Sequence, residues 1–194
     1  MNVLFSSQVI NMDALDFGDA FKYPFNRPKG LLNILWILLP IFGWFALGGY
    51  GIRIMNEWVE GKVNQLPQMS FVDDMKLGFM IFIKSIPLVL AIMVLSWVLS
   101  LGKGLGMIIF YIVVLLVVPM LGINLVVKKT VASSFEFEKV KPVFSNFGDY
   151  IVALIKELVL GIIFLVLYVV LVGIPAGAFT KNIFFADFYK RHAK

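Results

Sequence analysis

The sequence predicts an all-α, polytopic integral membrane protein: four transmembrane helices with interfacial amphipathic helices around them, in a single membrane domain covering residues 1–194. Three observations carry this. Of the 194 residues 60% are hydrophobic and 15% charged, against roughly 45–50% and about 25% in soluble domains. Mean hydropathy is +0.92, and a soluble globule of this size buries only about 70% of the surface its unfolded chain exposes, so this much apolar surface calls for lipid as its solvent. The apolar residues are also gathered into four runs, each long enough to cross a hydrocarbon core of about 30 Å.

The elements follow in order. Residues 1–30 form an N-terminal arm without a basic segment leading into an apolar run and without a small-residue cleavage site, so no cleaved secretory peptide is expected. Phe17, Phe21 and Phe25 recur at four-residue spacing beside Lys22, Arg27 and Lys29, the pattern of a helix lying in the membrane interface. Asp13, Asp16 and Asp19 read as a solvated helix face. The first span is Leu31 to Ile52, 22 residues without a charge, about 33 Å as a helix. An amphipathic extension follows, with Ile52, Met55 and Val59 on one stripe; Gly61 ends it, Pro67 breaks the chain and Ser70 to Asp74 offer capping side chains.

The second span, Leu77 to Leu101, holds Lys84 near one end. Gly102-Lys103-Gly104 joins it to the third span, Leu105 to Val127, a connection so short that the two helices are antiparallel neighbours. Lys128 and Lys129 lead out of the third span, and Pro142 breaks the chain before the fourth, Leu158 to Thr180. In the tail, residues 181–194, Phe184, Phe185, Phe188 and Tyr189 share one helical stripe and Asp187, Lys190, Arg191 and Lys194 another, which predicts a basic amphipathic helix in the interface. Pro40, Pro87, Pro119 and Pro175 place a kink-prone residue in every span. Phe17-Gly18-Asp19 and Phe147-Gly148-Asp149 hint at a repeated unit ahead of the first and fourth spans.

Net charge is +5, from 17 Lys and Arg against 12 Asp and Glu, which suits loops meeting anionic headgroups and gives no reason to expect a nucleic-acid partner. With four alternating spans the basic residues divide eight against nine across the membrane, so charge does not orient the chain; the arm ahead of the first span favours both termini in the cytoplasm.

The chemistry-bearing inventory is poor. There is no cysteine and a single histidine, His192, in the tail, which removes thiolate chemistry and a histidine cluster at membrane depth. Asp73 and Asp74 point about 100° apart on a helix and match a first-turn dipole better than an acid/base pair. Gly102-Lys103-Gly104 lacks the spacing of a phosphate loop, and Gly48-Gly49-Tyr50-Gly51 suits close helix packing. No cofactor is expected. Four antiparallel spans would gather a polar cluster at one membrane face: Arg53, Glu57, Lys84, Asn124, Lys128, Lys156 and Glu157. Lys84 is the deepest, and a lysine at mid-bilayer costs roughly 2.5–3.5 kcal/mol, so pairing with Glu57 or Glu157, or snorkelling, is expected.

Tyr23-Pro24-Phe25 followed by Pro28-Lys29, then Gly49-Tyr50 with Arg53, then Leu66-Pro67 with Phe71 and Asp73-Asp74, resembles the prokaryotic membrane-protein family known as domain of unknown function 4013. The resemblance implies a multi-pass protein of a prokaryotic inner membrane and assigns no catalytic residue. The sequence therefore leads to a non-enzymatic membrane protein, a scaffold, accessory subunit or protective factor working through membrane lipids, a protein partner or copies of itself. The alternative is a small transporter or channel subunit with a polar vestibule around Lys84.

Overall fold

The structure, a computed structural model, describes residues 14–62 and 64–194; the beginning of the arm, Asp13 included, lies outside the described residues. Among the described residues every regular element is helical, and the architecture is three helical hairpins side by side.

The first hairpin begins with α1 (Phe17–Lys22), whose N-terminal Gly18 and Asp19 N–H groups donate to the Asp16 carboxylate. A 3-10 turn (Tyr23–Asn26) and a single helical turn, α2 (Pro28–Leu31), lead into a 3-10 helix over Leu32–Leu38. The chain then reverses and returns as α3 (Phe42–Glu60). The expected first span, Leu31 to Ile52, is therefore not one helix. Pro40 has no N–H to continue a helix, Ile41 takes a positive φ of 64°, and Gly43 lets the returning helix press against the preceding one. A Cβ on Gly43 would lie 1.8 Å from the Trp36 carbonyl oxygen. The Trp44 indole N–H closes the reversal on the Ile37 carbonyl at 3.1 Å.

The second hairpin is α4 (Phe71–Ser100) and α5 (Lys103–Lys128), about 45 Å and 39 Å long at 1.5 Å per residue. Its existence and tight turn agree with expectation. Each helix begins earlier than its apolar run, because Asp73, Asp74 and Lys76 fit the first turns of α4. Pro87 and Pro119 lie inside the two helices without ending them.

A connection of two 3-10 turns (Ala132–Phe135, Phe137–Val140) and α6 (Lys141–Ser145) reaches the third hairpin. This ascends as α7 (Phe147–Val166) with a 3-10 extension (Leu167–Val170), reverses at Leu171, φ 60°, and descends as α8 (Gly173–Thr180) and α9 (Ile183–His192). The expected fourth span, Leu158 to Thr180, thus contains a reversal, and its helix starts at Phe147. The α9 tail also differs from expectation: Phe184, Phe185, Phe188 and Tyr189 are buried, and α9 packs against α7, α3 and α5. Its aromatic stripe finds protein where the interface was expected. The arm behaves likewise, Phe17 stacking on Phe184 and Phe21 on Phe164, with Phe25 tilted against the same Phe164 ring.

The three reversals point the same way. Gly49 and Gly78 meet at the α3–α4 contact, a Cβ on Gly49 falling 1.7 Å from the Asp74 carbonyl oxygen, and Phe45 meets Phe79 and Phe82 edge to face, so α3 and α4 are antiparallel. Tyr50 meets Phe179 edge to face and the Lys194 ammonium reaches the Val59 carbonyl, so α8–α9 runs parallel to α3. The arm, both long loops and the tail gather at the opposite end: Asn26 and Arg27 donate to the Asn64 and Leu66 carbonyls, Lys139 to Ala193 and Arg191 to Asp149. Among the described residues three helices are long and apolar enough to cross a membrane, Phe71–Ser100, Lys103–Lys128 and Phe147–Val170, and only 17–22% of the apolar core of each is buried by the protein. The remainder is the surface a lipid solvent accepts.

Candidate functional site

The polar side chains singled out by the sequence fall into three bonding groups at the end opposite the reversals. The first is at the α3–α4 contact. The glycine contact brings Arg53 to Asp74, whose carboxylate is almost wholly buried and also accepts the Ser70 N–H at 2.9 Å. Asp74, read from sequence as a match for the helix dipole, is thus the partner of a cation 21 residues away; a charge pattern within one helix does not signal that. Glu57 stands one turn below Arg53, and desolvation raises its carboxyl above the ordinary range against the pull of Arg53 and Lys62.

The second group surrounds the end of α5. Asn124 is fully buried and donates to the Ser133 carbonyl at 2.7 Å and to Glu136 at 3.1 Å, while its own oxygen accepts the Tyr189 hydroxyl at 2.7 Å. It fastens the connection and α9 to α5. Lys128 pairs with the same Glu136 carboxylate. The bonds from Lys128 and Asn124 hold the Glu136 carboxyl below its usual range, and burial pushes the Tyr189 phenol up to about 12. Lys84 forms no ion pair with Glu57 or Glu157 among the described residues. Its ammonium donates to the Lys129 carbonyl at 2.6 Å, at the left-handed residue that terminates α5, where a cation meets an unsatisfied carbonyl and the negative end of a helix.

The third group lies between α7 and α9. Lys156 donates to the Leu15 carbonyl at 2.7 Å, and Glu157 accepts the Asn182 and Phe184 N–H groups at 2.7 and 3.2 Å, serving two donors at the start of α9 that the helix itself cannot satisfy. Arg191 bridges Asp187 and Asp149; only its i,i+4 spacing from Asp187 was visible in the sequence. Arg53 and Glu57 therefore stand together, as do Lys156 and Glu157, while Lys84 and Asn124 each serve the end of α5.

Several hollows adjoin the first group, and two of them lie along the α3–α4 pair. A polar basin of about 430 Å³ is walled by Arg53, Glu57, Glu60 and Lys62 of the α3 end, Leu77 of α4, and Lys129 and Lys194. An apolar groove of about 570 Å³ runs between α3 and α4 along Trp44, Phe45, Gly48, Ile52, Ile81 and Phe82. Among the described residues no three His, Asp or Glu side chains converge as metal ligands.

The family described as Protein of unknown function (DUF4013) matches residues 32–174. That interval runs from the first hairpin to the start of α8, covering the reversal at Pro40, both glycines of the α3–α4 contact, and all of α4, α5 and α7. No curated protein and no solved structure matches the chain. With most of its length matched, including α3, α4, α5 and α7, the chain belongs to the DUF4013 family of proteins of unknown function.

Proposed function

We propose that the protein is a non-enzymatic, multi-pass accessory subunit or scaffold of a prokaryotic inner membrane, with its termini and both long loops in the cytoplasm, working by contact with another membrane protein. The observation that carries the reading is the far half of the α4–α5 hairpin. α3 begins at the level of Phe79 and Phe82 of α4, about 18 residues short of the end of α4 at Ser100, and beyond that level Met93, Trp97, Leu101, Leu105, Ile108 and Tyr111 are all exposed, Trp97 at 67%. An exposed aromatic and aliphatic face on two antiparallel helices suits packing by partner helices. The polar end supports the same reading: Arg53, Lys84, Asn124, Lys156 and Glu157 each hold one piece of the chain to another. The cytoplasmic orientation rests on charge. Lys103 is the one basic residue beside a reversal, and the other 16 of the 17 lie away from the tips, the asymmetry that places basic segments inside.

Photo-crosslinkers at Met93, Trp97 and Ile108 in native membranes test the reading. A single protein adduct of one mass from all three positions is expected. Adducts to lipid alone overturn it, as does substrate-dependent flux by the purified protein in vesicles that Lys84→Met abolishes.

A further inference from the structure

The geometry points to a binding site for one anionic glycerophospholipid on the α3–α4 pair, with an acyl chain in the apolar groove and the phosphate in the basin. The inference uses the membrane setting but not the accessory role, and is tested on the isolated protein.

The groove has the length and depth of one leaflet. Its wall on α3 runs from Ile41 to Ile52, about 17 Å at the rise of an α-helix, and half of a hydrocarbon core of about 30 Å is about 15 Å. Its volume, about 570 Å³, falls within the roughly 300–1,000 Å³ of small-molecule sites. The depth comes from Gly48, where an added Cβ would meet nothing within 4 Å. Phe45, Ile52, Ile81 and Phe82 supply apolar walls without a charge among them.

The basin begins where the groove stops. The groove ends at Ile52 and Gly78, and the basin starts at Arg53 and Leu77, the adjacent residue of each helix. Ile52, Leu77 and Ile81 belong to one apolar cluster with Leu125 and Val126, so groove and basin share a wall. The basin sits beside the beginning of α4 and the end of α5, the level at which a crossing hairpin leaves the hydrocarbon. Four basic residues, Arg53, Lys62, Lys129 and Lys194, face two acidic ones, Glu57 and Glu60. Arg53 is occupied by Asp74 and Lys62 by Glu60. The Lys129 ammonium has no hydrogen-bond partner among the described residues, and Lys194 makes a long bond of 3.3 Å to the Val59 carbonyl. These two ammonium groups are available to a phosphate; with Asp74 and Glu60 balancing Arg53 and Lys62, they exceed the remaining carboxylate, Glu57, by one positive charge, which favours a headgroup with a net negative charge over a zwitterionic one.

Native mass spectrometry of the purified protein titrated with phosphatidylglycerol or phosphatidylcholine of identical acyl chains reads both halves of the site. One phosphatidylglycerol is expected to be retained, at about a tenth of the concentration needed for phosphatidylcholine. The double variant Lys129→Gln/Lys194→Gln is expected to erase that preference, and Gly48→Leu, which fills the groove, to weaken both lipids at least fivefold. Glycerol phosphate, which has a headgroup and no chain, is expected not to compete. Equal retention of the two lipids by the unaltered protein overturns the headgroup assignment without any variant. Unchanged retention in Gly48→Leu, or displacement by glycerol phosphate, overturns the chain assignment, and thermal unfolding in detergent confirms that each variant compared is folded.

Discussion

Asp74 keeps 2% of its side chain exposed while Arg53 keeps 29%, so the pair is asymmetric: the carboxylate bears most of the desolvation and the guanidinium still meets solvent. Removing one member of a buried pair costs about 3–5 kcal/mol because a charge is left uncompensated, whereas removing both together often costs far less. The partial exposure of Arg53 puts the expectation for Arg53→Met at about 3 kcal/mol, the low end of that range. Adding Asp74→Asn, which makes the stranded group neutral, is expected to recover at least half of it. Unfolding in detergent followed by tryptophan fluorescence makes the comparison, and a double variant as unstable as Arg53→Met alone would show that the cost comes from something other than the charge. The same logic separates the other polar contacts. Lys62–Glu60 and Lys141–Glu138 are exposed on both sides, and such pairs contribute little. Asn124 is at the other extreme, since its buried amide serves three partners on two segments.

Between residues and the whole molecule stands one recurring device. Each hairpin reverses at or beside a non-glycine residue with positive φ, Ile41, Lys103 and Leu171, and a glycine follows within three residues. A Cβ on Gly43, Gly106 or Gly173 would lie 1.8, 1.9 or 2.1 Å from the carbonyl oxygen of Trp36, Leu99 or Phe164. In each case the returning helix rests on the backbone of the outgoing one, and a methyl group would force them apart. Gly43→Ala, Gly106→Ala and Gly173→Ala are each expected to destabilise by about 1–3 kcal/mol, the usual cost of overpacking. Gly122→Ala and Gly161→Ala, where an added Cβ has open space, are expected to be neutral or to stabilise by up to about 1 kcal/mol through helix propensity. Thermal unfolding in one detergent compares the two sets, and equal effects in both would remove the close approach as the reason. The sequence did offer a repeat, but a different one. Phe-Gly-Asp ahead of two apolar runs and prolines within all four drew attention to helix starts and kinks, while the structural repeat is the glycine just past each reversal, indistinguishable by type from the chain's other glycines.

At the scale of the molecule, hydropathy located the apolar runs, and the α4–α5 hairpin follows from its three-residue connection. Hydropathy could not tell a crossing from a reversal, because the residues that reverse the first and third hairpins, Leu39 to Ile41 and Val170 to Val172, are themselves apolar. The polar cluster was legible in its members and not in its partners: Lys84, Lys156 and Glu157 bond to main-chain groups, which every residue carries and no sequence marks. These reversals change the charge balance. Four alternating spans split the basic residues eight against nine; three hairpins leave Lys103 alone beside a tip and put Lys62, Lys141 and Lys194 at the common end with the arm. The two arrangements differ in which sites share a side of the membrane. With no native cysteine, single cysteines at Gln65, Lys103, Lys141 and Lys194 can be labelled by a membrane-impermeant maleimide in sealed vesicles of known orientation. The hairpins predict that Gln65, Lys141 and Lys194 label from the cytoplasmic side and Lys103 from the other. Alternating spans would instead pair Lys103 with Lys194 and set Gln65 and Lys141 against them, so labelling of Gln65 and Lys194 from opposite sides would rule out the three-hairpin arrangement in the membrane.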